Sequence, residues 1–191
     1  EACGAGAAAA NVKINVPTSY RMMSRRDPWT NILRTTIACT GAAIGGADAI
    51  CVLPFTFALG KPDAFARRVA RNVQIVCQEE SHLGRVADPA GGLWYVEQLT
   101  HDMVHKAWDF FQDIEARGGI VPGLTTGYVQ EKIEASAQAR AKAIATGRMN
   151  LTGVSAFPLL GDDGIKAEPW PSAAPSRREK PEIEVTPLKV H

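Results

Sequence analysis

The chain has 191 residues, of which 46% are hydrophobic and 21% charged, and its formal net charge is +1. This composition predicts a globular protein with enough apolar side chains for a core, and it excludes a collagen-like or fully disordered chain. The near-zero charge argues against nucleic-acid binding, which needs a surplus of cations to displace counterions from phosphates. No apolar segment approaches the roughly 18–20 residues of a membrane helix, so we expect no membrane contact. The four cysteines lack CxxC spacing, and we expect small buried residues in a reducing, cytoplasmic environment.

The first half of the chain predicts a strand–helix–strand unit. After a small-residue linker at 4–10, residues 12–16 alternate apolar and polar side chains, which predicts a short strand ended by a proline. A helix is predicted to follow, with Asp27 as its N-cap and Pro28 in its first turn. Residues 49–53 are uniformly apolar, which is typical of a strand covered on both faces in a parallel sheet. Together these elements predict a βαβ unit.

The second half predicts helices followed by a linker. Helical spacing of apolar residues indicates helices over 62–80, 94–117 and 124–146, and residues 150–157 are predicted to be extended. Six of the twelve prolines lie in the last 34 residues. Such a composition buries too little apolar surface to offset the entropy lost on ordering, so 158–191 is predicted to be an extended linker.

One short motif is compatible with a metal. His101 and His105 share a helix face, as in the zinc motif HExxH. Asp102, however, is one methylene shorter than the glutamate of that motif, and no third ligand is apparent. An exposed helix face is therefore the favoured interpretation.

Two groups of arginines leave a choice open. Arg25 and Arg26 form one group, and Arg67, Arg68 and Arg71 form the other. Guanidinium groups bind phosphates in a bidentate manner, so either group could contact a phosphorylated ligand. A solvated helix start and a solvated helix face explain the same residues equally well.

Three further residues are candidate site groups. Gln78 closes a predicted helix, and it is either a surface residue or a ligand contact at the rim of an α/β barrel. Cys51 and Cys77 have no histidine nearby in sequence, so we expect both to be buried and inert rather than activated thiolates.

Several ordered motifs resemble one family, the methylmalonyl-CoA mutases. The motifs are Thr18-Ser19 and residues 27–35 (DPWTNILRT), 45–48 (GGAD), 66–72 (ARRVARN), 78–81 (QEES) and 86–92 (VADPAGG). In that family the substrate domain is a (β/α)8 TIM barrel, followed by a linker and a cobalamin-binding domain. Because a barrel takes about 250 residues, the resemblance implies an α/β fold in which residues 1–157 are the C-terminal part of the barrel with trailing helices. Residues 158–191 would be the interdomain linker, and a chain that begins at Glu1 would be a fragment.

The chain departs from the catalytic members of this family at the strand ends. Catalytic chains carry an arginine directly before the Thr-Ser pair, and this sequence has Pro17 there. Catalytic chains read LHTN where this chain reads ICVL at 50–53, so Cys51 and Leu53 stand in place of a histidine and an asparagine. Groups that form hydrogen bonds have become apolar at these replaced positions.

The resemblance therefore implies a subunit without catalytic residues or metal ligands. Thr18, Ser19 and Gln78 would be vestigial substrate-binding positions. The pattern is similar to the small subunit of heterodimeric mutases, which pairs with a catalytic large subunit and stabilises it. The assembled isomerase would interconvert methylmalonyl-CoA and succinyl-CoA with adenosylcobalamin. This chain would bind neither the cofactor nor the acyl-CoA productively, and it lacks the cobalamin motif DxHxxG.

The sequence is also compatible with two alternatives. The chain could be part of a catalytic acyl-CoA mutase whose altered rim accepts another acyl group, which a Gln78 facing the thioester would favour. It could also be a non-enzymatic helical interaction module, although the βαβ alternation argues against that.

Overall fold

The computed structural model describes residues 4, 6, 12–161 and 164–171. The described residues form two compact units, one from Glu1–Ala90 together with Thr152–Pro171 and the other from Gly91–Leu151. Cys3, most of the predicted 4–10 linker and the linker positions 162–163 and 172–191 lie outside the described residues. Within the described part, no helix is both long and apolar enough to cross a bilayer.

The first unit contains the predicted βαβ arrangement. Strand β1 (Asn15–Pro17) pairs in parallel with β2 (Ala49–Cys51), and helix α1 (Thr30–Ile44) connects them. Helix α2 (Ala64–Ile75) follows β2. The mixed helix and strand content agrees with an α/β fold, whereas the assignment of residues 1–157 to the C-terminal part of a (β/α)8 barrel remains a prediction. Both strands are shorter than predicted, because only these residues find ladder partners in the neighbouring strand.

Helix α1 does not begin as the sequence predicted. Asp27 has a φ of 44°, which is incompatible with the extended backbone of an N-cap residue. Its carbonyl oxygen instead accepts hydrogen bonds from the backbone N–H and the hydroxyl of Thr30, at 3.2 and 2.7 Å. The helix therefore starts at Thr30, after a turn through Pro28 and Trp29.

Helix α2 begins with a side-chain cap and ends in a wider turn. The Oδ1 atom of Asp63 accepts a hydrogen bond from the backbone N–H of Ala66 at 2.7 Å, which fixes the start of the helix. After Ile75 the chain widens into a π-helical turn over Val76–Glu80. The predicted helix 62–80 is thus confirmed in outline, with its last five residues wound differently.

The core of the first unit lies between the sheet and the two helices. Its buried members are Cys39, Val52, Ala70, Val73 and Cys77, with Ile50 and Leu83 packed against them. Burial, together with the adjacent Cys77, raises the pKa of the Cys39 thiol to about 11. Cys39 is therefore protonated at neutral pH, as expected of a small core residue.

A carboxylate closes the end of the sheet where the strands begin. Asp48 accepts hydrogen bonds from the backbone N–H of Ile14 at 2.8 Å and from Nζ of Lys13 at 2.9 Å. The first of these bonds makes the larger contribution to lowering the pKa of Asp48, and Lys13 adds to it. The charged form of Asp48 therefore stabilises the folded state.

We expect acid to weaken this unit through Asp48. A folded-state pKa below the unfolded value of about 3.9 gives stability that is complete above that pH and is lost as the pH falls through the folded pKa. Asp48→Asn should flatten the fall in the free energy of unfolding below about pH 4, measured by urea titration at a series of pH values. Asp109→Asn, an exposed change on helix α3 of the second unit, serves as the control. Equal slopes for Asp48→Asn and wild type would contradict the prediction.

The second unit is helical, and one predicted helix is divided. Helix α3 (Trp94–Ala116) matches the predicted helix 94–117. The predicted helix 124–146 is confirmed over α5 (Tyr128–Ala145), but its first two residues belong to a separate short helix, α4 (Ile120–Thr125), and the two helices are separated at Gly127, whose φ is 83°. A left-handed residue interrupts helical hydrogen bonding, and glycine adopts that conformation without steric cost.

The apolar residues whose helical spacing predicted α3 are not buried. No residue of α3 is buried among the described residues, and Met103 is 63% exposed. The helix is held instead at its end, where the Tyr128 hydroxyl donates a hydrogen bond to Asp113 and the Arg117 guanidinium lies 3.9 Å from the centre of the Tyr128 ring.

Two later segments belong to the first unit. Of the predicted extended segment 150–157, residues 152–157 lie in this unit and instead form a turn, in which the backbone N–H of Gly153 donates to the carbonyl of Ala156 at 2.8 Å. The part of the predicted linker at 164–171 packs on the loop after β2. There the N–H of Lys61 donates to the Glu168 carbonyl at 2.6 Å, and the Trp170 ring lies 4.9 Å from that of Phe57.

Candidate functional site

The carboxyl ends of the two parallel strands carry the replaced positions. Pro17 and Cys51 are register partners, so they lie side by side on one face of the sheet. Val16 and Ile50 lie on the other face and are half-buried, and Ile50 packs against the core beneath the helices. Cys51 is exposed. The prediction that it is buried is wrong, because its strand position turns it away from both helices.

Thr18 ties the two strand ends together. Its backbone N–H donates to the Cys51 carbonyl at 2.9 Å, and its hydroxyl oxygen accepts from the N–H of Leu53 at 2.9 Å. Thr18 is only 4% exposed. Its hydroxyl therefore has a structural task in the described part of the chain, while a role in substrate binding stays a prediction.

The other predicted contact residues lie at different places. Ser19 is exposed, and its hydroxyl oxygen accepts from the N–H of Arg21 at 3.3 Å in the short turn that follows β1. Gln78 is exposed in the π-helical turn at the end of α2. The preceding residue, Cys77, lies 3.8 Å from the hydroxyl of Thr40, in the last third of α1.

The geometry groups some of these residues and separates others. A helix that follows a parallel strand runs back towards the strand's start, so the far end of α2 lies away from the strand carboxyl ends. The structure thus brings Pro17, Thr18, Cys51 and Leu53 together and does not bring Gln78 to them.

A buried asparagine, which sequence reasoning did not assign, holds the strand-end loops. Asn31 has no exposed surface. Its Oδ1 accepts from the N–H of Ser24 at 2.9 Å, and its Nδ2 donates to the carbonyls of Ser24 and Phe55 at 2.8 and 2.9 Å. Because Ser24 follows β1 and Phe55 follows β2, one side chain fixes the spacing of both loops. We call Asn31 and these partners the asparagine clamp.

Arg34 supports the asparagine clamp from the next turn of α1. Its guanidinium donates to Asn31 Oδ1 at 2.7 Å and to the Thr30 hydroxyl at 3.0 Å, and it also donates to the carbonyl of Thr152. Burial lowers the pKa of Arg34, and the charge of Asp27 opposes that shift. The sequence contains one signal for this pair. Asn31 and Arg34 are polar residues three positions apart in the motif 27–35, on a helix face that otherwise carries residues packed inward.

A cavity of about 230 Å³ lies between the start of α2 and segment 164–171. Lys61, Asp63, Arg67 and Lys166 are among its lining residues, so charges of both signs meet there. The hydroxyl of Thr56 is buried beside it and has no hydrogen-bond partner among the described residues. This mixture of charges does not specify a ligand.

The histidine pair on α3 has no further ligand near it in the described residues. The rings of His101 and His105 pack with their centres 4.2 Å apart. Across residues 12–161 and the other described positions, no group of three or more metal-ligating side chains comes together. The zinc interpretation therefore gains no support from the geometry.

Comparison with known proteins identifies the family. The family model described as methylmalonyl-CoA mutase matches residues 1–180. The chain belongs to the methylmalonyl-CoA mutase family. The resemblance seen in motifs such as 27–35 and 86–92 is thereby confirmed.

Relatives within the methylmalonyl-CoA mutase family also bear out the resemblance to a small subunit. The chain is 56% identical over 158 residues to the methylmalonyl-CoA mutase small subunit of Streptomyces virginiae, covering 83% of the chain and 26% of the relative. It is 46% identical over 165 residues to the small subunit of Propionibacterium freudenreichii, covering 86% and 26%. It is 34% identical over 152 residues to the methylmalonyl-CoA mutase of Escherichia coli, covering 80% and 21%. The chain spans about a quarter of the length of these relatives.

The strand-end residues do not fit adenosylcobalamin. At positions 17, 51 and 53 they offer one thiol and two apolar side chains. The hydroxyl oxygen of Thr18 is already engaged by Leu53. A cofactor bearing many amide groups needs several donors and acceptors at its binding surface.

Proposed function

We propose that this chain is part of the small subunit of a methylmalonyl-CoA mutase and that its function is structural. It pairs with a catalytic large subunit and stabilises it. Adenosylcobalamin and the acyl-CoA substrate are bound and used by the large subunit in the assembled isomerase, and the complex works in the cytoplasm.

The observation that carries the proposal is the pairing of Pro17 with Cys51. These residues are register partners at the strand ends, on the face away from the helices. Leu53 follows two residues after Cys51. A catalytic rim needs charged or hydrogen-bonding side chains aimed at the thioester, and these three provide neither a charge nor an amide.

The asparagine clamp supports a structural function further. Asn31 is buried and Arg34 is half-buried, and their hydrogen bonds go to the backbone of the loops, to the Thr30 hydroxyl and to each other. Such a network fixes the spacing of the loops after the two strands through hydrogen bonds within the protein. The alternative of a catalytic mutase with another acyl specificity has less support, because Gln78 lies apart from the strand ends.

The test compares the small-subunit polypeptide, the large subunit and the complex of the two. Adenosylcobalamin is titrated into each while the corrin absorbance is followed, and isomerisation of methylmalonyl-CoA is assayed. We expect cofactor binding and activity with the large subunit present, a higher melting temperature for the complex than for the large subunit alone, and no saturable binding of adenosylcobalamin by the small subunit.

In the complex, Cys51→Ala should leave kcat within about twofold of wild type, since Cys51 takes no part in the reaction.

Two results would overturn the proposal. One is micromolar, saturable binding of adenosylcobalamin to the small subunit alone. The other is a loss of kcat of a hundredfold or more in Cys51→Ala with an unchanged melting temperature, which would place this residue in a working site.

A further inference from the structure

Helix α1 and the turn before it carry two faces of different character. The inward face is formed by Asn31, Thr35 and Cys39, all of which are buried. A second set, which we call the outer stripe, consists of Trp29, Leu33 and Ile37, with exposed fractions of 48%, 64% and 74%. At 3.6 residues per turn, the centres of the two sets lie about 160° apart around the helix.

Completion of a barrel would not cover the outer stripe. Further strands extend the sheet sideways, and their helices join the same layer as α1 and α2, so they reach the flanks of α1. The outer stripe points to the side opposite the sheet. Three large apolar side chains on successive turns resemble the anchors by which helices bind in grooves. Neither the sheet nor the flanking helices of a barrel would therefore cover the outer stripe.

The neighbouring helix contributes positive charge. Arg68 and Arg71 are exposed on α2, opposite its buried residues Ala66, Ala70 and Val73. The Arg71 guanidinium bonds to the adjacent Asn72 side chain, whereas Arg68 forms no hydrogen bond or ion pair with another described residue. Helix α1 contains no acidic residue that could neutralise them.

Aromatic contacts hold the two outer faces together. The Trp29 ring stacks on that of Phe55 with centres 5.0 Å apart, and Phe55 meets Phe65 edge-on at 6.2 Å. These rings join the starts of α1 and α2. The two helices also contribute to one core cluster, so they lie side by side and their outer faces adjoin. The result is an apolar stripe beside a basic face.

We propose that this surface, the outer stripe of α1 together with Arg68 and Arg71 of α2, binds an amphipathic helix of the large subunit with an acidic edge. The inference rests on the proposed function and adds to it where the partner docks and with what chemistry. Apolar side chains of the partner helix cover Trp29, Leu33 and Ile37, and its carboxylates pair with the arginines.

The experiment measures association of the full small-subunit polypeptide with the purified large subunit by calorimetry at low and high salt. Leu33→Asp/Ile37→Asp places two charges on the outer stripe, and Arg68→Glu/Arg71→Glu reverses the basic face. Ala135→Asp/Ala139→Asp adds the same two charges at the same spacing to exposed positions of α5. We expect the first variant to weaken binding at least a hundredfold. The second should weaken it about tenfold and reduce its salt dependence, while the α5 control binds as wild type does.

Each other outcome has a defined meaning. Wild-type binding of both α1 and α2 variants would overturn this inference and leave the proposed function standing. No association of the wild-type subunits would overturn the proposed function itself. If the Leu33→Asp/Ile37→Asp variant alone abolishes self-association of the small subunit, a second copy is the occupant. If it lowers the melting temperature of the isolated subunit by ten degrees or more, the subunit covers its own stripe. Both results contradict the inference.

Discussion

Replacement of Asn31 by leucine is expected to lower the free energy of unfolding of the first unit by about 3–5 kcal/mol. Leucine has a similar volume but leaves the N–H and carbonyl of Ser24 and the carbonyl of Phe55 without their buried partner. Each unsatisfied buried polar group costs about 1–3 kcal/mol, and Arg34 loses an acceptor as well. Urea titration followed by circular dichroism measures the change.

Asn15→Leu provides the matched control. Asn15 is exposed on β1, so the same substitution there should change stability by less than about 0.5 kcal/mol. In Asn31→Leu, amide hydrogen exchange should also accelerate in the loops after β1 and β2, because the asparagine clamp no longer fixes their spacing. A loss similar to that of Asn15→Leu would show that the asparagine clamp contributes little.

Gly60→Ala is expected to detach segment 164–171 from the loop after β2. A Cβ atom at residue 60 would overlap the carbonyl oxygen of Glu168 and lie 3.1 Å from its carbonyl carbon. The backbone bond from Lys61 to Glu168 and the 3.3 Å ion pair between their side chains would then both break. We expect a loss of about 2–3 kcal/mol and tryptic cleavage after the exposed Lys166 about tenfold faster than in wild type.

Gly84→Ala controls for the added methyl group. No atom lies within 4 Å of a Cβ built there, so stability and cleavage should match wild type. Mass spectrometry of timed digests identifies the cleaved bond. If Gly60→Ala and Gly84→Ala are digested at the same rate, the packing of Glu168 against Gly60 does not hold the segment.

Local patterns in the sequence predicted the βαβ unit and helix α3, because alternation and helical spacing record which side chains face a core. Element bounds were less predictable, since they depend on partners far along the chain. Asp27 has the residue type of an N-cap, yet its backbone is left-handed in a turn next to Gly153. The break between α4 and α5 depends on one glycine conformation that an alanine-rich, helix-like pattern conceals.

The candidate site was predictable only in part. The replaced positions Pro17, Cys51 and Leu53 follow from comparison of motifs, and the structure brings them to one place. Cys51 is exposed because of the face of the sheet to which its side chain points. A segment in which every residue is apolar does not show which side chains point to which face. Asn31 and Arg34 were visible only as members of a motif, because their partners, Phe55 and Thr152, are distant in sequence.

The proline at the end of β1 also limits what can be added to the sheet. Because the N–H of Thr18 faces β2, the nitrogen of Pro17 faces the opposite edge, since successive residues of a strand alternate in this respect. That nitrogen carries no hydrogen. A further strand paired along this edge would find no backbone donor at Pro17. It would form its hydrogen bonds with β1 nearer Asn15. Pro17 thus removes the last hydrogen bond along this edge, so a neighbouring strand can separate from β1 at that point.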